Sequence, residues 1–198
     1  MSGDSGTLAF YDNEAEAYAE FAAGHAVPDV LRDFAGMLPD GASVLDFGCG
    51  SGWAGHWLAR QGLDVTGFDG SEGLAQQARD RYGLEVTVGR FEDFNAETPH
   101  DGIWASFCLL HDRREAMPGH LNRLGAALRP GGVLYVGLIH GEGEHRDSLG
   151  RLYTHFTDAE MAELLGAAGF VDITSSHEPS QHYDGTPATN LHILARRA

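Results

Sequence analysis

The chain has 198 residues, 42% of them hydrophobic, and a formal net charge of −16. That size fits one domain with one sizeable core, and no apolar run nears the ~18 residues that cross a bilayer. The acidity disfavours duplex nucleic acid and anionic membranes as partners, because both need a positive patch.

The first dozen residues read as frayed. Tyr11 to Ala23 then sets Tyr11, Ala15, Tyr18 and Ala22 at helical spacing. A second helix is expected from Pro28, burying Val30, Leu31, Phe34 and Leu38, before the turn Pro39-Asp40-Gly41. From there strands and helices alternate. Ser43–Phe47 reads as a strand, Trp53–Gln61 as a helix ended by Gly62, and Asp64–Phe68 as a second strand. Ser71 caps a predicted helix that runs to Tyr82 and stops at Gly83. Leu84–Val88 and the nearly all-apolar Gly102–Phe107 follow as strands. A helix over Ala116–Leu128 stops at Arg129-Pro130-Gly131-Gly132, and Val133–Ile139 is the fifth strand. Thr157-Asp-Ala-Glu160 spells a capping box for a helix that buries Met161, Leu164 and Leu165 and ends at Gly169. Phe170–Ser175 and Leu191–Ala195 close the chain as an antiparallel pair, joined by the Pro/Gly/His-rich stretch 178–189. This alternation implies an α/β fold, a mostly parallel sheet with helices on both faces.

Chemistry concentrates after the first strand. Asp46 interrupts an apolar run, and Gly48, Gly50 and Gly52 follow it, so a ligand could lie against bare main chain. Two cysteines and eleven scattered histidines make neither a disulfide framework nor a compact ligand motif, so no metal is expected. The polar start Met1-Ser-Gly-Asp-Ser-Gly6 carries no basic stretch before an apolar one, which points to the cytoplasm.

Two framings of the glycine loop compete. Gly50-Ser-Gly52-Trp-Ala-Gly55 spells G-x-G-x-x-G, and Asp69 follows at the end of the second strand, as in a nicotinamide-dependent oxidoreductase. Against that, the strand ends at Phe47, before the first glycine of that pattern, and it carries an acid that a dinucleotide does not need. A nucleoside-binding module without catalysis is a third reading.

The other framing starts earlier. Val44-Leu-Asp-Phe-Gly-Cys-Gly-Ser-Gly52 resembles the first motif of class I S-adenosylmethionine-dependent methyltransferases. Asp69, Phe91-Glu92-Asp93-Phe94, Asp101–Phe107, Leu128-Arg-Pro-Gly-Gly-Val-Leu134 and Ala167-Ala-Gly-Phe170 match further family features in order, across residues 11–195. Phe47 stands where the family often has an aliphatic residue, and the loop 141–153 is similar to that of small bacterial members.

The resemblance implies a Rossmann-like seven-stranded sheet with an antiparallel last strand. It makes 1–198 one domain, with 1–40 a helical cover over a core at 41–198. S-adenosylmethionine is the implied cofactor and a small molecule the implied methyl acceptor. Gly48, Cys49, Gly50 and Gly52 would pass along the methionine part and Asp46 would face its ammonium. Asp69 would hold the ribose hydroxyls, with Gly70 and Ser71 at the adenine edge. Glu92 or Asp93 would accept from the adenine amino group, Phe91 would stack on the ring, and Tyr11, Tyr18 and Phe107 would complete the enclosure. His111 and His140, just past the fourth and fifth strands, are candidate general bases facing one mouth. Arg146, Arg151 and Tyr153, in the Gly-rich loop 141–155, could read an acceptor carboxylate. Adjacent first and fourth strands would also bring Cys49 and Cys108 close together, both reduced.

Overall fold

Alternation along the middle strands decides how the sheet is covered. In β4 (His100–Ser106), Ile103 and Ala105 face one apolar cluster and Trp104 the other. β5 (Leu128–Ile139) repeats the pattern, with Leu134, Val136 and Leu138 on one side and Val133 and Tyr135 on the other. Such strands need helices on both faces. α6 (Met117–Ala126) and α7 (Asp158–Ala167) cover one face with Met117, Leu121, Leu124, Met161 and Leu165. α3 (Asp29–Gly36) and α4 (Trp53–Arg60) cover the other with Leu31, Phe34, Ala54 and Leu58. The computed structural model describes residues 4–24, 26–181 and 184–198.

With β1 (Ser43–Phe47), β2 (Asp64–Asp69), β3 (Val86–Val88), β8 (Phe170–Gln181) and β9 (Pro187–Arg197), the strand order is β3-β2-β1-β4-β5-β9-β8. β1 pairs in parallel with both β2 and β4, so the order reverses there and leaves a crevice at their carboxyl ends. β9 runs antiparallel to β5 and β8. No helix among the described residues is long and apolar enough to cross a membrane.

Caps set several boundaries. Ser71 Oγ accepts from the Leu74 N–H (3.1 Å) at the start of α5 (Glu72–Tyr82), and Gly83 ends that helix at φ +66°. Thr157 Oγ1 accepts from the Glu160 N–H at 3.3 Å, but the Glu160 carboxylate turns to Arg114, so only half of the capping box forms. Pro28 is the N-cap of α3, one position outside the helix.

Three expectations are corrected. Residues 5–10 are helical, not frayed: α1 (Ser5–Asn13) precedes α2 (Ala15–Ala23). Asp4 caps α1 by accepting from the Thr7 N–H (2.8 Å) and is itself held by Arg146 (2.7 Å). The stretch 178–189 is not a loop, because β8 and β9 stay paired out to Gln181 and Pro187; His182 and Tyr183 lie outside the described residues. Of the prolines in that stretch, Pro179 lies on an edge strand and Pro187 opens a strand, where a missing N–H costs little. The loop 141–155 carries a small hairpin of β6 (Glu144–Arg146) and β7 (Leu152–Thr154).

Phe34 is fully buried against Trp104, with ring centroids 5.3 Å apart. Phe34→Ala should cost about 3–5 kcal/mol in urea unfolding. Truncation of the half-exposed Phe21 should cost under ~0.5 kcal/mol in the same measurement.

Candidate active site

The crevice between β1 and β4 opens into a cavity of about 570 Å³, counting its mouth. Its floor is main chain. Gly48 (φ +69°) and Gly50 (φ +54°) adopt left-handed backbone, and a Cβ on Gly48 would stand 2.2 Å from Cys108 Cβ. At Gly50 the nearest atom to such a Cβ is Tyr18 Cε1 at 4.0 Å, so that side is open space. Gly70, Leu74 and Phe91 form one wall and Ser106, Phe107 and His111 the other; Leu8, Tyr11 and Tyr18 roof them. Phe107 sits at φ +52°, a strained conformation for a bulky residue, with its N–H bonded to Gly137 O (2.9 Å).

Asp69 stands at the head of β2. Its Oδ2 accepts from the Gly50 N–H (2.7 Å) and its Oδ1 from the Ser71 N–H (2.8 Å). Burial raises its pKa, while those donors pull it back. Each carboxylate oxygen has accepting capacity beyond one N–H.

His111 and Tyr11 share a directed chain. His111 Nδ1 lies 2.7 Å from Leu152 O, which can only accept, so Nδ1 carries the proton and Nε2 is bare. The Tyr11 hydroxyl donates to Nε2 (3.0 Å) and accepts from Arg151 Nη1 (3.1 Å). Burial pulls the His111 pKa down to about 4, so the ring is neutral at pH 7. Arg151 is itself 1% exposed, bonded to Asp147 through Nε (2.9 Å) and Nη2 (2.6 Å), and packed over the Phe10, Tyr11 and Tyr153 rings.

Of the residues predicted for the site, Tyr11, Tyr18, Gly48, Gly50, Asp69, Gly70, Phe91, Phe107 and His111 line the cavity. The others lie behind or beside it. Asp46 is buried under the floor and accepts from the Gly55 N–H (2.9 Å). Cys49 packs toward Gly67, and a Cβ on Gly52 would meet Ala78 Cβ at 2.7 Å, so this glycine lets α4 and α5 approach. Ser71 caps α5 and donates to Asp12 (2.6 Å), which ties the roof down. Glu92 and Asp93 occupy a short 3-10 turn outside the lining, although Glu92 Oε2 is buried with no hydrogen-bond partner among the described residues.

His140 does not share the mouth with His111. It meets Asp158 and His177 elsewhere, because the side chain at the end of β5 turns toward β8 and α7. Arg146 and Arg151 are committed to Asp4 and Asp147, which corrects their expected reach toward a carboxylate. Cys108 borders the cavity and donates to Phe47 O (3.1 Å); both thiols are free, and burial raises their pKa far above the usual range. Sequence reasoning missed Thr7 and Leu8, because their site contacts come through the roof and not through any local pattern.

Residues 44–132 match the family model described as a methyltransferase domain. That segment, a little under half of the chain, is similar to methyltransferase domains. It is 34% identical over 141 residues to trans-aconitate 2-methyltransferase of Variovorax paradoxus, covering 66% of this chain and 51% of that protein. It is 32% identical over 152 residues to ubiquinone biosynthesis O-methyltransferase of Xylella fastidiosa, covering 66% and 61%. The chain thus spans about half to three-fifths of the length of these curated relatives. The fold matches a Burkholderia thailandensis 1,6-didemethyltoxoflavin N1-methyltransferase, solved with its substrate and S-adenosylhomocysteine. The TM-score is 0.74 at 24% identity, over 98% of this chain and 88% of that one.

Asp46 gives this site a pH signature. Burial, with Asp69 adding to it and the Gly55 N–H opposing, pushes its pKa up to about 7 from 3.8. The folded state therefore holds this proton more tightly than the unfolded chain, and the associated stability is lost as pH rises toward and through 7. Asp46→Asn keeps an acceptor for Gly55 and removes the charge. With no cofactor added, it should raise the melting temperature at pH 8 by about 2–4 °C, the shift expected per kcal/mol at this size. At pH 3.5, where both side chains are neutral, the two proteins should melt together.

Proposed function

We propose that this protein transfers a methyl group from S-adenosylmethionine to a planar, uncharged small molecule. The observation that carries the reading is Asp69 facing a floor of bare backbone. Both its oxygens are fixed by main-chain donors and both retain lone pairs for the two ribose hydroxyls. The cavity fits the cofactor in kind. Gly48 and Gly50 offer main chain without side chains for the methionine part, and Gly70, Leu74 and Phe91 offer an apolar slot for the adenine.

The cofactor, when bound, supplies an activated methyl on sulfur. The protein's task is then alignment and the exclusion of water. Tyr11, Tyr18 and Phe107 close the cavity with aromatic surface, which favours a flat acceptor. Arg151 is neutralised by Asp147, so this guanidinium is not offered to an acceptor carboxylate. Where the acceptor must lose a proton, His111 Nε2 is the basic atom in place, reached once Tyr11 yields its hydrogen bond. The names of the relatives agree with small-molecule acceptors. The net charge of −16 argues against nucleic acid as the acceptor.

Titration calorimetry with S-adenosylhomocysteine should give one site per chain. Asp69→Ala should weaken it by about 5- to 150-fold, the loss of roughly 1–3 kcal/mol of charged hydrogen bonding. Binding of NADH in place of S-adenosylhomocysteine, or an unchanged affinity in the variant, would overturn the proposal. Transfer of labelled methyl across a panel of phenols and heteroaromatic amines identifies the accepting atom.

A further inference from the structure

Three side chains from three elements converge outside the set of residues that line the cavity. His140 directly follows β5, Asp158 opens α7, and His177 projects from β8. His177 Nε2 lies 3.0 Å and His140 Nε2 3.4 Å from Asp158 Oδ2, and one ligand atom from each residue lies within 4.8 Å of the others. Zinc holds imidazole nitrogen and carboxylate oxygen at about 2.0–2.2 Å, so neighbouring ligands of a tetrahedral site stand about 3.3 Å apart. Two of the three edges already have that length.

The scaffold fixes these groups. The His140 N–H is bonded to Thr189 O (2.8 Å), His177 is paired with Leu191 in the sheet, and Thr157 caps the helix that begins at Asp158. Ser175 Oγ donates to the second oxygen, Asp158 Oδ1, at 2.5 Å, the kind of outer contact that orients a metal-binding carboxylate. Ordinary hydrogen bonding would require both imidazoles to carry their proton on Nε2 and to share one Asp158 oxygen, His140 at 3.4 Å being the longer contact. A cation bound by two bare nitrogens and a carboxylate accounts for the convergence directly.

We propose that His140, Asp158 and His177 form a binding site for a divalent first-row transition ion, zinc being the best match, with a fourth position open to water. The ion would staple the end of β5 to α7 and β8. His140 forms a bridge with Phe156, so the staple would sit where the segment carrying the β6–β7 hairpin leaves and rejoins the core.

The test uses the untagged full chain, stripped with chelator and titrated with cobalt(II) chloride and with zinc(II) chloride. One equivalent of cobalt should produce the visible absorption of a four-coordinate site, and one equivalent of zinc should abolish it. His177→Ala and Asp158→Asn should each weaken binding by more than about 10-fold, the least that loss of an outer-shell partner costs. Their far-ultraviolet circular dichroism should be unchanged. The chain has eleven histidines, so the double variant His140→Ala/His177→Ala decides the location. No one-equivalent signal in the natural protein, or the same signal in the double variant, would overturn the site.

Discussion

Nothing larger than hydrogen fits on Gly48. The carboxyl ends of β1 and β4 come so close there that the Cys108 side chain fills the space a Cβ would take. The backbone must also turn left-handed at that point, which a side chain resists. This single constraint puts naked main chain at the place where the strand order reverses. The rest of the site is arranged around it: Asp69 ties down Gly50 from β2, Asp46 supports the start of α4 from below, and the β4 end carries Phe107 and His111 to the opposite wall.

The roof depends on a different kind of interaction. Burying the Arg151 cation is expensive, and Asp147 four residues before it offsets that cost through hydrogen bonds to two guanidinium nitrogens. The neutralised guanidinium then serves as a platform for three aromatic rings and a donor to Tyr11. Orientation passes from there to His111, whose tautomer is fixed from the other side by Leu152 O. A charge that looks like solvated surface in the sequence thus orders the chemistry of the cavity.

What could be read from the sequence was what rests on local rules. Ser43–Phe47, the Ser71 cap with its Gly83 stop, and the antiparallel close of the sheet follow from apolar runs, capping residues and the lack of a helix between the last strands. The glycine floor and Asp69 were visible for the same reason, since ligand-facing backbone and a carboxylate at a strand end leave a compositional trace. What was missed depends on contacts far apart in the chain. Asp4 meets Arg146, and Thr7 Oγ1 accepts from the Leu152 N–H (2.9 Å), so α1 is ordered by partners about 140 residues away. His140 was misplaced because a strand end gives a residue's address and not the direction of its side chain. The outer halves of β8 and β9 bury little apolar surface, so no hydrophobic pattern marked them as strand.

The clasp between the amino-terminal helix and the β6–β7 hairpin has a consequence for the roof. Asp4 and Thr7 line the cavity themselves, so the contacts Asp4–Arg146 and Thr7–Leu152 hold part of its wall to the hairpin. One half of the clasp is a solvent-facing ion pair, weakened by added electrolyte; the other is a sheltered hydrogen bond that salt barely touches. Ionic strength therefore loosens one half of the clasp while the other still holds the amino-terminal helix to the hairpin.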